Sequence, residues 1–211
     1  MLKYLLAVLL ICGSLVNASA QYPGYKPMTS VDAFKKQFAV ESSKLQSIAS
    51  DFTQNKTLTA LTETMTSTGK FWFKRSNKVR IDYLKPFSYR LIMNGDKMLV
   101  KDEQKESRIN VKGNKTFQQI NKIMIDCIQG TILESKDFST KVFENAGSYL
   151  LEMTPLSKSM KAFFSTIVLT VDKADYSVKS IEMNEAGGDK TTLTFTNKVT
   201  NGRVEDTVFS F

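Results

Sequence analysis

No histidine occurs in this chain of 211 residues. Its absence removes the side chain that titrates nearest neutral pH, and with it the His-dependent serine and cysteine triads and most zinc sites. Cysteine is nearly as scarce, with Cys12 and Cys127 alone. Once a leader carrying Cys12 is removed, no intramolecular disulfide is possible, and the size of the core must stabilise the fold. Long apolar runs are missing too. Leu5 to Ile11 is too short to cross a bilayer, and no later segment approaches a span. Opposed carboxylates are not apparent: Asp102 and Glu103 stand in a turn-like, lysine-rich stretch, whereas a glycosidase pair must face across a cleft. Gly187-Gly188 reads as a hairpin tip, because no lysine–serine pair or helix pattern follows it. These absences argue against an enzyme, and no cofactor or metal is expected.

What is present begins with an address. Lys3, the short apolar run and Ala18-Ser19-Ala20 form a signal peptide over residues 1–20, cleaved after Ala20. Ile11 before Cys12 does not provide the small residue that a lipid-attaching cysteine requires. Removing twenty residues leaves 191, residues 21–211, enough for one domain with a sizeable core. The formal charge of +8 falls to +7 without Lys3, and basic residues are scattered among acidic ones. With no RNA-type aromatic motif and an export signal, nucleic acid is not an expected partner. An anionic lipid or an acidic surface suits this balance better.

Hydrophobic periodicity then divides the chain. Ser30 is placed to cap a helix over about 31–47, with Val31, Phe34, Phe38, Leu45 and Ile48 at helical spacing. From Asp51 the period becomes two. Asp51 to Thr59 and Thr62 to Arg75 read as long strands. Val79, Ile81 and Tyr83 alternate with Arg80, Asp82 and Leu84, and Tyr89, Leu91 and Met93 lead to an Asn94-Gly95 turn. Asn114 to Gly130 breaks the pattern. Phe117, Ile120, Ile123, Met124, Cys127 and Ile128 recur at three and four, giving a helix with an unusually broad apolar sector. Cys127 there reads as a buried structural thiol. Strands resume near Phe138 and run to Phe209-Ser210-Phe211, punctuated at 145–147, 172–175, 186–188 and 201–202. The expected architecture is mainly β with α: a curled antiparallel sheet of about 11–12 strands under helical cover. Nine methionines and fourteen phenylalanines fill it. Met93, Met98, Met124, Met153 and Met183 fit either ordinary core or a surface that repacks around varied apolar shapes.

Certain segments resemble a known family. Asp51-Phe52-Thr53-Gln54 follows the first helix; then come Gly69 to Arg75, Val79 to Tyr83, Lys85-Pro86 and Asn94-Gly95, with Leu150 to Pro155 later. In order and spacing these resemble the LolA lipoprotein carriers, most strongly over about residues 30–102. The resemblance implies a half-open, LolA/LolB-like antiparallel β-barrel with a helical lid, working in the periplasm. In that family the cavity receives acyl chains of lipoproteins from an inner-membrane ABC transporter and passes them to an outer-membrane acceptor. Carried over by position, the lipid-binding cavity would comprise Phe71, Val79, Ile81, Tyr83, Leu91, Met93 and Met98. The lid would carry Phe117, Ile120, Ile123, Met124 and Ile128. Arg75 would hold the lid closed by bonding to helical backbone, and the protein would act as a monomer. Two departures bear on this. Ser76 stands where the family usually has proline, and the chain stops at Phe211, without the further strand and short helix of well-studied members. The latter leaves the direction of handover open. A non-protein lipid, such as a glycolipid or lipid-linked pigment, is the alternative cargo; a periplasmic sensor or interaction module is the alternative class.

Overall fold

Period-two patterning becomes a single antiparallel sheet whose faces bury different parts of the chain. The computed structural model describes residues 21–211 apart from 62, 76 and 112–114, and the helix backbone alone at 115–117 and 119–121. The signal peptide of residues 1–20, the cap at Asn114 and the effect of Ser76 therefore lie outside the described residues. In chain order the elements are β1 (Lys26–Pro27), α1 (Val31–Ser43), β2 (Ser47–Leu58), β3 (Glu63–Lys74), β4 (Lys78–Lys85), β5 (Tyr89–Asn94), β6 (Lys97–Asp102), β7 (Glu106–Asn110) and α2 (Lys115–Gln129). There follow β8 (Phe138–Glu144), β9 (Ser148–Pro155), α3 (Lys158–Lys161), β10 (Phe164–Asp172), β11 (Val178–Glu185) and β12 (Lys190–Thr200).

The twelve strands run β1-β8-β9-β10-β11-β12-β2-β3-β4-β5-β6-β7. The sheet is open, with β1 and β7 at its edges. Short turns join most neighbours, and the meander restarts where β12 lies beside β2, with Phe195 opposite Phe52 and Leu193 opposite Gln54. Side chains alternate between faces. On β4, Val79, Ile81 and Tyr83 join the inner cluster, while Arg80 and Asp82 point outward. Burial would raise the Asp82 carboxyl, but paired bonds from Arg80 and Arg90 outweigh it and hold the group below the usual aspartate range.

Gly69 shows why the sheet can curl so tightly. A Cβ there would lie 2.0 Å from the Asp82 carbonyl oxygen and 2.7 Å from the Phe52 ring. Only glycine permits that approach, beside a register slip that leaves Leu84 as the extra residue of β4.

Two clusters occupy the concave side. One joins α1 and α2 to β8–β11 through Phe34, Phe38, Cys127, Ile132, Leu151 and Met153. The other joins α2 to β2–β7 through Phe52, Phe71, Phe73, Val79, Met93, Met98 and Ile128. The convex face is covered by the chain ends. Tyr22 and Tyr25 lie over Phe143, Leu150 and Val168; Val204, Val208 and Phe211 pack around Phe209, Ile92 and Leu99.

Two expectations are corrected. The first helix ends at Ser43 rather than near 47, because Ser47 already pairs with Lys74 in the sheet. Leu45 and Ile48 continue the apolar spacing, but Leu45 is half-buried from the loop and Ile48 is buried from the strand. Phe209-Ser210-Phe211 is not a strand end: residues Asp206–Phe209 form a 3-10 turn. Phe209 is fully buried, so its apolar neighbours satisfy a convex-face contact instead of a ladder.

Candidate functional site

Between the two clusters, beneath α2, the concave face leaves a cavity of about 290 Å³. It lies at the lower end of the ~300–1,000 Å³ typical of ligand pockets. β3 contributes Phe71, β4 Ile81 and Tyr83, β5 Leu91 and Met93, and β6 Met98. The opposite wall is Phe164 and Ile167 of β10, Ile181 and Met183 of β11, and Leu193 and Phe195 of β12. Phe52 and Gln54 of β2 join the walls, and α2 closes over them with Ile123, Met124, Cys127 and Ile128.

Six of the seven wall residues expected from sequence thus face the cavity together. Val79 does not: it is fully buried between Phe73 and Met93 in the packed layer. On α2, Ile123, Met124 and Ile128 line the space, while the side chains of Phe117 and Ile120 lie outside the described residues. Of the β10–β12 wall, sequence reading singled out Met183 alone, and that without a place in the cavity. Thr192-Leu193-Thr194-Phe195-Thr196 carries a clear alternation, but its pairing with β2 is a long-range contact that no local pattern encodes.

The lining is almost wholly hydrocarbon. Among the described residues its one side-chain hydrogen bond runs from the Tyr83 hydroxyl to the Gln54 amide oxygen, 2.8 Å away. Burial, and then neighbouring Tyr89, raise the Tyr83 hydroxyl above its ordinary value, so it stays neutral. Burial likewise pushes the Cys127 thiol up, with Asp126 adding to the effect, which keeps it protonated and unreactive. Among the described residues no cluster of three His, Cys, Asp or Glu side chains could hold a metal. Such a lining excludes water from an apolar guest.

Arg75 lies away from the cavity. Its guanidinium donates to the carbonyls of Leu45 at 2.9 Å, Ser42 at 3.1 Å and Ser43 at 3.0 Å, at the C-terminal end of α1. Carbonyls at a helix end lack the intrahelical amide partners of the interior and carry the negative pole. Although the Leu45 amide also reaches the Ser42 carbonyl at 3.2 Å, a cation is well placed there. The link to α2 is indirect. Gly130, with φ +74°, ends α2 against α1, where a Cβ would lie 2.4 Å from the Ser42 hydroxyl oxygen.

The fold has counterparts among known proteins. The sequence profile described as outer membrane lipoprotein carrier protein LolA matches residues 43–211. Among curated proteins none matches. An uncharacterized conserved protein from Thermus thermophilus has a TM-score of 0.51 at 9% identity, over 85% of this chain and 94% of that one. The MucA/MucB complex of Pseudomonas aeruginosa gives 0.50 at 12% identity, over 86% of this chain and 62% of the matched one. A LolA superfamily protein from Nitrosomonas europaea gives 0.43 at 10%, over 84% and 97% respectively. At these identities the solved structures speak to the fold alone.

Proposed function

The chain belongs to the LolA outer membrane lipoprotein carrier family, and from that premise we propose that it carries the acyl chains of exported lipoproteins through the periplasm. An inner-membrane ABC transporter would supply the cargo and an outer-membrane acceptor would take it. The observation that carries this reading is the water-excluding cavity under α2. A sixteen-carbon chain costs on the order of 10 kcal/mol to expose, at ~0.8 kcal/mol per methylene. A carrier must offset most of that and still release its load.

A small cavity under a helix meets both needs. Its volume is modest for a full acyl chain, so loading requires α2 to lift. Met124 and Ile128 would then exchange contacts with the sheet for contacts with the guest. The closed form is the empty one, and the ligand selects the open one. Arg75 would act at a distance, fixing the α1 terminus on which the end of α2 rests. Arg75→Ala is expected to lower stability by about 1–3 kcal/mol. Amide exchange should quicken first at the end of α1 and around Gly130, and uniform acceleration across the sheet would refute that local role.

The cargo is tested by mass spectrometry of lipid that co-purifies with the exported chain. Acylated cysteine peptides are the expected finding. Free glycolipid or a lipid-linked pigment would replace lipoprotein as the cargo while keeping the carrier. No bound lipid, together with no binding of a fluorescent fatty-acyl probe, would remove the carrier reading itself.

A further inference from the structure

Among the described residues, eight large hydrophobic side chains are exposed, and six lie at one end of the sheet. Leu61 and Met65 flank the β2–β3 tip, Leu84 and Phe87 the β4–β5 tip, and Leu156 and Phe163 the segment around α3. Phe87 is 73% exposed and Leu61 61%. The other two, Val40 and Val199, sit on α1 and near the opposite end of β12. The tips are neighbours: the Ala186 amide donates to the Phe163 carbonyl at 2.9 Å, and the Thr59 hydroxyl to the Gly188 carbonyl at 2.6 Å. The cavity reaches the same end, since its lining includes Phe164 at the start of β10, Met183 near the end of β11 and Tyr83 near the end of β4.

We propose that this apolar rim is a membrane-docking surface, which seats the mouth of the cavity on an anionic bilayer. The charges favour that occupant. The three apolar tips carry exposed Lys85, Lys158 and Lys161 against the single acid Glu63. The acids of the adjoining turns stand beside lysines of their own: Glu185 and Asp189 beside Lys56, and Asp102 and Glu103 in one stretch with Lys101 and Lys105. The shape favours it as well. The apolar groups stand on separate convex tips, whereas a stable protein interface needs on the order of 800 Å² of complementary surface from each partner. A bilayer yields to separate tips, takes aromatic and aliphatic groups at its interface, and attracts lysines beside them. No helix of the described residues is long and apolar enough to cross a membrane, so the contact is peripheral. Seated this way, the cavity mouth would lie at the membrane surface where donor or acceptor hands over the acyl chain, which would limit its exposure to water. That consequence rests on the carrier reading; the docking surface itself does not.

The test is co-sedimentation of residues 21–211 with vesicles of phosphatidylcholine alone or with a third phosphatidylglycerol. Binding is expected to the anionic vesicles and to weaken with salt. Leu61→Ser with Phe87→Ser should lower the partition coefficient by roughly tenfold, and Lys158→Glu with Lys161→Glu by at least as much, at about fivefold for each lysine lost. Both pairs are exposed, so unfolding temperatures should hold and the fatty-acyl probe should still bind. Ile81→Glu should lose the probe but keep the vesicles. Absence of vesicle binding, or binding unchanged in both rim pairs, would overturn the proposal. So would loss of lipid transfer in the rim variants without vesicle binding by the natural chain, which would assign the rim to a protein partner.

Discussion

Replacing Ile81 with glutamate lowers affinity for a fluorescent fatty-acyl probe by about a hundredfold, while the unfolding transition moves little. Ile81 is only half-buried and faces the cavity, paired across the ladders with Phe71 and Leu91. In the empty protein a carboxylate there can keep water. An acyl chain would strip that water from a site whose nearest polar pair, Gln54 and Tyr83, already satisfies itself. Desolvating the charge, or protonating it at neutral pH, is worth about 3 kcal/mol, which is the stated factor. Leu193→Glu, from the opposite wall, should do the same. Titration of the probe into both variants decides the matter, and unchanged affinity in both would place the acyl chain somewhere other than this cavity.

Truncating Phe209 to alanine should reduce unfolding free energy by about 3–5 kcal/mol in urea titrations, the range for a fully buried phenylalanine. The ring is wholly enclosed on the convex face between Ile92 and Leu99. Around it the C-terminal segment is held by polar contacts. Arg80 donates to the Val208 carbonyl at 3.0 Å, and the Lys74 ammonium to the Asp206 carboxylate at 2.7 Å. The segment acts as a clasp across β3–β6. Because it grips the face opposite the cavity, probe affinity should change far less than stability. A loss below about 1 kcal/mol would mean that the clasp is dispensable.

These two sites were legible to different degrees. The β4 alternation put Ile81 on the inner face, since a period of two leaves only two choices of face and one was apolar; its place in a cavity came from the resemblance. Phe209 was visible only as an apolar residue at a chain end. Whether such a residue continues a ladder or folds back over a sheet depends on what the sheet leaves uncovered. Leu150-Leu151 shows the same limit: Leu151 faces the inner core, while Leu150 is buried from outside by the N-terminal tyrosines. A strand apolar on both faces announces that both are covered, without naming the cover.

Arg75 was placed by resemblance against helical backbone. Its bonds run to the end of α1, which meets α2 where Gly130 lies against Ser42 and Leu45 packs in one cluster with Ile128.

Most element types, most turns, the apolar inner face of β4 and the lack of histidine chemistry could be read from the sequence alone. All of these follow from spacing over a few residues, where backbone geometry and side-chain alternation act locally. Tertiary structure decided that β12 lies beside β2, that β10–β12 supply the second wall, that the chain ends cover the convex face, and that the apolar tips gather at the cavity mouth. Each of those joins residues far apart in the chain. Such contacts are selected by which surfaces remain to be buried once the sheet has curled, and that is a property of the assembled shape.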